Sequence, residues 1–375
     1  MSRREDFRKT VSHIRPEKAI VDLWGCPLSG ISDKKAQELD DFLGYNGQNE
    51  AKVFNISERA LRYYDIDTRG VGWILAPKKS HYRRVSEDVY IDEWGITRKF
   101  TGLYWDIVES PLHGKSYEDV RKYPFPDPQT LDVSELKAIR GQAKRLQEET
   151  DYVVCGSHPV YGVFELACWM FGFDDFLLRM ALEPETVELF FARVLEYQRA
   201  VSDAYYGEVG EFLDYTSSGD DFATQNSTFF SKDMFDSMIL PYFKERIRFT
   251  KAKTRAKFLH HSCGNVYPLL PSLIEAGVDI LNPIQPVGPQ MQAAPLKAAY
   301  GDKIVFHGGF DTQQVLVHAS PQEVDAEVLR LLRDMDFGSG YIFAAAHCIQ
   351  DDVPVENVNA LFEAAKKYSR ASKGE

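Results

Sequence analysis

Short apolar runs recur along the chain, and each closes on a glycine, proline, acid or histidine. Ala19–Trp24, Tyr152–Gly156, Phe212–Tyr215, Lys257–His261, Asp279–Asn282, Lys303–His307 and Tyr341–Ala345 are of this kind. Runs this short and continuous suit strands covered on both faces, as in a parallel sheet. Between them, Ser134–Glu149, Pro184–Val201, Val266–Ala276 and Pro321–Met335 have helical periodicity. Strand–helix alternation over almost the whole chain predicts right-handed βα units around one sheet. No Gly-x-Gly-x-x-Gly follows the first run, which disfavours an open dinucleotide-binding sheet. The reading is an α/β fold, a (β/α)8 TIM barrel that takes up residues 1–375 as one domain. Residues 45–130 break the pattern with mixed aromatic and charged positions and a hairpin-like Tyr90–Gly95. They read as an insertion over the barrel mouth.

Composition narrows the picture. The chain has 375 residues, 44% hydrophobic and 27% charged, the balance of a globular protein. A formal charge of −12 argues against nucleic acid or an anionic membrane surface as the partner. No apolar run reaches the roughly 18 residues that a span requires. The start, Met1–Asp6, lacks the apolar stretch of a secretory signal, so a cytoplasmic location is expected. Five scattered cysteines with no Cys-x-x-Cys pair read as free thiols. Cys168, among apolar neighbours, reads as core. Cys263 and Cys348 differ, because each lies close to a histidine.

His260-His261-Ser262-Cys263-Gly264-Asn265 is the strongest local signal. Side chains alternate along a strand, so His261 and Cys263 share one side while His260 and Ser262 take the other. Ala346-His347-Cys348 closes another strand. In a parallel barrel all strand C-termini meet at one mouth, so the two clusters can converge there. Imidazole and thiolate together favour zinc, and three protein ligands with one open position describe a catalytic site. The plainer alternative is a set of packing residues. Asp220 and Asp221 follow a predicted strand and suit substrate binding, acid chemistry or metal ligation; an N-cap in a solvated loop is the alternative. Gln225 in the same loop is a further candidate substrate contact. Glu165 is a second candidate catalytic carboxylate beside Asp221. Asp311, after Gly308-Gly309, is a candidate ligand contact at a strand end. Trp94, Tyr104 and Trp105 either roof a flat apolar ligand or pack the insertion.

Four pieces are more specific: His261–Val266, Gly277–Pro283, Phe306–Asp311 and Val353–Asn357. On these the chain resembles the uroporphyrinogen decarboxylase-like superfamily over nearly its full length, which implies a (β/α)8 barrel. The decarboxylase branch would place an arginine-rich segment after the first strand, where Trp24–Gly30 contains no arginine. The resemblance therefore points to the branch of corrinoid-dependent methyltransferases, which carry zinc on His-x-Cys and a distant Cys. His261 and Cys263 match the first two ligands. Counting back from Pro354, the third falls at His347, with Cys348 as the alternative one residue on. By resemblance the zinc activates the atom that loses or receives a methyl group, with a thiol or an aryl methyl ether as substrate. An Asp-x-His-x-x-Gly cobalamin signature is missing from the sequence, so the corrinoid would arrive on a separate protein. A metal-free lyase using Asp221 on a small acid, and a non-catalytic binding barrel, are the competing readings.

Overall fold

The apolar runs form or lead into strands of one eight-stranded parallel sheet in the computed structural model, which describes residues 1–45, 51–102 and 104–370; Phe212–Tyr215 only leads in, its strand starting at Tyr215. In chain order these are β1 (Ile20–Val21), β2 (Thr68–Val71), β3 (Val153–Ser157), β4 (Tyr215–Gly219), β5 (Lys257–His261), β6 (Ile280–Asn282), β7 (Val305–Phe310) and β8 (Tyr341–Ala345). Each is followed by a helix: α1 (Asp33–Phe42), α2 (Val133–Glu149), α3 (Pro184–Val209), α4 (Leu240–Lys253), α5 (Leu270–Ala276), α6 (Ala293–Tyr300), α7 (Pro321–Asp334) and α8 (Val355–Tyr368). Neighbours run in chain order from β2 to β8, and β1 pairs with β8. The ring closes between β1 and β2 without a ladder among the described residues. There the Asp67 N–H donates to the Val21 carbonyl (3.0 Å) and the Asp67 carboxylate accepts from the Val21 N–H (2.9 Å). Thr68 Oγ1 donates to Asp22 Oδ1 across the same gap.

Alternation along the strands produces two cores. Ile20, Val153, Cys155, Tyr215, Leu259, Ile280, Val305 and Ile342 point inward and pack with Phe7 of the N-terminal helix Arg3–Thr10. Val21, Val154, Phe258, Leu281, Phe306 and Phe343 point outward and join the larger core under the helices, where Cys168 also lies. Most of the inward set comes from the first half of each strand, so the lumen is filled at its N-terminal end. That leaves the C-terminal mouth for chemistry, the usual division in such barrels.

One element departs from the sequence reading. β2 lies inside the stretch assigned to the insertion, because Thr68-Arg69-Gly70-Val71 has no apolar run to announce it. Arg69 is buried, and its guanidinium donates to both carboxylate oxygens of Glu58 (2.9 and 3.0 Å). Gly70 lets the strand approach β1, since an added Cβ would lie 2.8 Å from the Trp24 carbonyl oxygen. The inserted segment therefore begins after Val71. It holds a four-stranded antiparallel sheet of Arg83–Arg84, Val89–Ile91, Thr97–Phe100 and Trp105–Glu109. The hairpin at Tyr90–Gly95 is present, and Asp92 Oδ1 accepts from the N–H groups of Trp94 and Ile96 (3.0 Å each). Residues 46–50 and 103 of the expected insertion lie outside the described residues. Tyr104 Oη donates to Gln350 Oε1 (2.8 Å), tying the small sheet to the segment after β8 at the mouth. Among the described residues, no helix is long and apolar enough to cross a membrane.

Candidate metal centre

Strand register sets the site. Gly219, His261 and Asn282 lie opposite one another at the C-terminal ends of β4, β5 and β6. His261 is turned away from its neighbour His260, whose ring packs outward against Phe222 and Phe243 (centroids 5.3 and 4.6 Å). Two residues on, Cys263 Sγ is 3.4 Å from His261 Nε2. His347, just past β8, brings its ring to 5.8 Å from that of His261. One ligand atom from each of His261, Cys263 and His347 lies within 4.8 Å of the others. A tetrahedral zinc with N at about 2.0 Å and S at about 2.3 Å needs its ligand atoms about 3.3–3.8 Å apart, so the donor set fits after sub-ångström movements. Cys348 stays outside this cluster, its thiol facing the Ile349 carbonyl at 4.0 Å. Burial and Asp33 push the Cys348 thiol up to about 12.

The loop after β5 is held by the loop after β4. Gly264 has φ +85°, and an added Cβ there would sit 2.4 Å from the Thr224 carbonyl oxygen. Only glycine fits that turn. The Cys263 N–H donates to Asp221 Oδ1 (2.8 Å), an oxygen 3.7 Å from His261 Nε2. Asp221 thus orients the Cys263 backbone and stands beside the cluster. Burial, then the charges of Asp221 and Glu165, push the Cys263 thiol well up. Burial and His261 hold His347 down to about 4. Both shifts favour the neutral side chains unless a cation enters.

Asp220, expected as a substrate contact, is fully buried and serves another purpose. It accepts from the N–H groups of Glu165 (2.7 Å) and Phe164 (3.2 Å), the first turn of helix Val163–Phe171. The residue at that cap is Gly162, which has no side chain to do this. Burial raises Asp220 to about 7 despite those bonds. Glu165 is pushed up by burial and by Asp221 and Asp220. It lines a chamber of about 230 Å³ at the mouth with Leu28, Trp73, Tyr161, Trp169 and Ser218. Gly219 also lines it, and an added Cβ there would come within 4.0 Å of His261 Cβ, so chamber and cluster adjoin.

The remaining candidates lie apart. Trp94 is 2% exposed, edge-on to Phe125 and Tyr197, and packs the insertion rather than roofing a ligand. Its small-sheet neighbour Trp105 packs on Tyr90, whereas Tyr104 is exposed at the rim. Gln225 is exposed and donates to Gln313 Oε1 (2.9 Å). Asp311 Oδ1 accepts from the N–H groups of Gln313 and Gln314 (2.7 and 2.9 Å), which shapes the turn after β7.

Sequence reasoning missed the residues behind His261. His261 Nδ1 is 2.5 Å from Asn282 Oδ1, Asn282 Nδ2 is 2.6 Å from His307 Nδ1, and His307 Nε2 is 2.7 Å from Asp22 Oδ2. All four side chains are buried. Burial pushes the Asp22 carboxyl up, but hydrogen bonds from His307 and Thr68 bring it below its ordinary value. The available signal was a polar residue ending or interrupting an apolar run, which was read as a strand terminator. Arg246 was missed likewise; fully buried, it donates to His158 Nε2 (3.0 Å) behind the chamber wall.

The polar cluster lies at the strand C-termini, where enzymes of this barrel fold place their chemistry. The uroporphyrinogen decarboxylase family model matches residues 107–368, well over half of the chain, and the chain belongs to that family. The uroporphyrinogen decarboxylase of Pectobacterium atrosepticum is 26% identical over 285 residues, 72% of this chain and 75% of that protein. That of Actinobacillus succinogenes is 24% identical over 283 residues, with the same coverage. A methyltransferase from Methanosarcina mazei superposes with a TM-score of 0.68 at 16% identity, over 98% of this chain and 99% of that one, and so shares the fold.

Proposed function

We propose that this chain is a zinc-dependent methyltransferase that moves a methyl group between a small methylated substrate and a corrinoid carried on a separate protein. The observation that carries this reading is the convergence of His261, Cys263 and His347 at the barrel mouth, beside an apolar chamber. The naming of the Methanosarcina mazei neighbour as a methyltransferase agrees with it. Among the described residues, no lysine or arginine lines the chamber, which disfavours a substrate with several carboxylates. Trp73, Tyr161 and Trp169 instead suit a flat neutral molecule such as an aryl methyl ether.

His261, Cys263 and His347 would hold the zinc, which when bound supplies Lewis-acid activation of the atom that carries or accepts the methyl group. Asp221 fixes the Cys263 backbone through its N–H, setting the thiolate's approach. Glu165, whose carboxyl is pushed up by burial and by Asp221 and Asp220, stands in the chamber wall where it can give a proton to a leaving oxygen.

Elemental analysis of tag-free wild type beside Cys263→Ala tests the reading. About one zinc per chain, lost in the variant, is the expected result. Wild type that stays metal-free after zinc incubation would sink the proposal and return Asp221 and Glu165 to metal-independent lyase chemistry.

A further inference from the structure

Asn282 and His307 belong to two of the sequence pieces that carry the family resemblance, yet neither lines the chamber or belongs to the three-residue cluster. Their hydrogen bonds run in one direction. Asp22 already accepts from the Gly25 N–H and from Thr68 Oγ1, and at its other oxygen it faces His307 Nε2, the donor of that contact. Asn282 turns Nδ2 to the other nitrogen, Nδ1, which accepts from it. That orientation turns Asn282 Oδ1 toward His261 Nδ1, which must therefore carry the hydrogen. The hydrogen on Nδ1 leaves the lone pair of His261 on Nε2, the atom 3.4 Å from Cys263 Sγ. Reversing any link flips the Asn282 amide and puts a hydrogen on Nε2, where it blocks a metal.

We infer that Asp22, His307 and Asn282 are positioning residues that lock His261 in its metal-binding tautomer, so that a carboxylate just after β1 sets the affinity of a site at the ends of β5 and β8. The inference rests on the zinc reading above. Histidine ligands generally need such a partner on the far nitrogen. Here that partner is relayed through two further side chains, which makes the affinity depend on a residue remote from the metal.

The test is a double-variant cycle read as the zinc dissociation constant, by competition with a chromophoric chelator, and as the visible spectrum of the cobalt(II) protein. Asp22→Asn replaces a group that can only accept with an amide that can also donate to His307, so the direction of the relay is no longer enforced, and it is expected to weaken zinc about 10–100-fold in the wild-type background. Asn282→Asp places a carboxylate directly on His261 Nδ1 and disconnects it from Asp22. In that background Asp22→Asn should change affinity less than about 3-fold, since partners that no longer communicate do not couple. Glu93→Gln, in the inserted sheet, serves as the control with unchanged affinity. If Asp22→Asn does not fold, His307→Gln takes its place in the cycle. Unchanged affinity in the wild-type background overturns the relay and leaves the zinc reading standing. Equal losses in both backgrounds overturn it too, since they show an effect through the fold. A wild type that binds no zinc overturns the functional reading itself, and the relay's role with it.

Discussion

At Gly162 an added Cβ would fall 2.1 Å from Cγ of Asp220, the carboxylate that caps the helix carrying Glu165. Nothing flexible lies between them, because Asp220 is fully buried. Gly162→Ala should therefore lower stability by about 2–4 kcal/mol, overpacking plus a lost cap, as a shift in the urea midpoint at constant slope. At this scale the sequence was legible where alternation governs. His261 and Cys263 fall on one side and His260 on the other because a strand has period two. It was not legible where a side chain's partner is far away in the chain. Asp220 reads as a substrate contact or the cap of its own loop until the bare cap at Gly162 comes to meet it, and Trp94 reads equally as a ligand's roof or as packing until α3 covers it. Asp22, Asn282 and His307 are each unremarkable alone and acquire meaning only as neighbours across the lumen.

The strands with apolar runs were legible as elements, and β2 was not. A strand whose buried arginine is neutralised by Glu58 and whose glycine abuts a carbonyl carries no hydrophobic signal. The inserted sheet was legible only as a break in pattern, apart from its hairpin. It also contains a carboxyl in an unfavourable place. Burial, then the neighbouring Asp92, raises Glu93 to about 7 from its ordinary 4.5. A carboxyl whose folded value exceeds its unfolded one favours folding while protonated. That contribution is whole below the unfolded value and is lost as the pH rises through the folded one. Wild type should therefore lose about 1–3 kcal/mol between roughly pH 5 and pH 8 that Glu93→Gln retains. Denaturation midpoints measured across that range check this, and parallel curves for the two proteins would refute it.

For the whole molecule, the barrel class followed from alternation of elements, while the manner of its closure did not. Ladders join the strands all round except between β1 and β2, where Asp67 does the fastening. It is fully buried, accepts from the Val21 N–H and pairs with Lys18 (2.7 Å). Asp67→Ala leaves Lys18 with Asp65 alone (2.9 Å), so a loss near the low end for a broken buried pair is expected, about 3 kcal/mol. Amide hydrogen exchange should quicken in Ile20–Val21 and Thr68–Val71 before it does elsewhere in the barrel. The second fastening at this gap has a wider consequence. Asp22 gives one carboxylate oxygen to Thr68, across the opening, and the other to His307. One anion thus serves as clasp and as anchor. On the relay inferred above, whatever binds at the mouth and prefers an ordered His261 also prefers, by reciprocity, a shut ring. On that relay the gap and the ligand cluster answer to the same carboxylate.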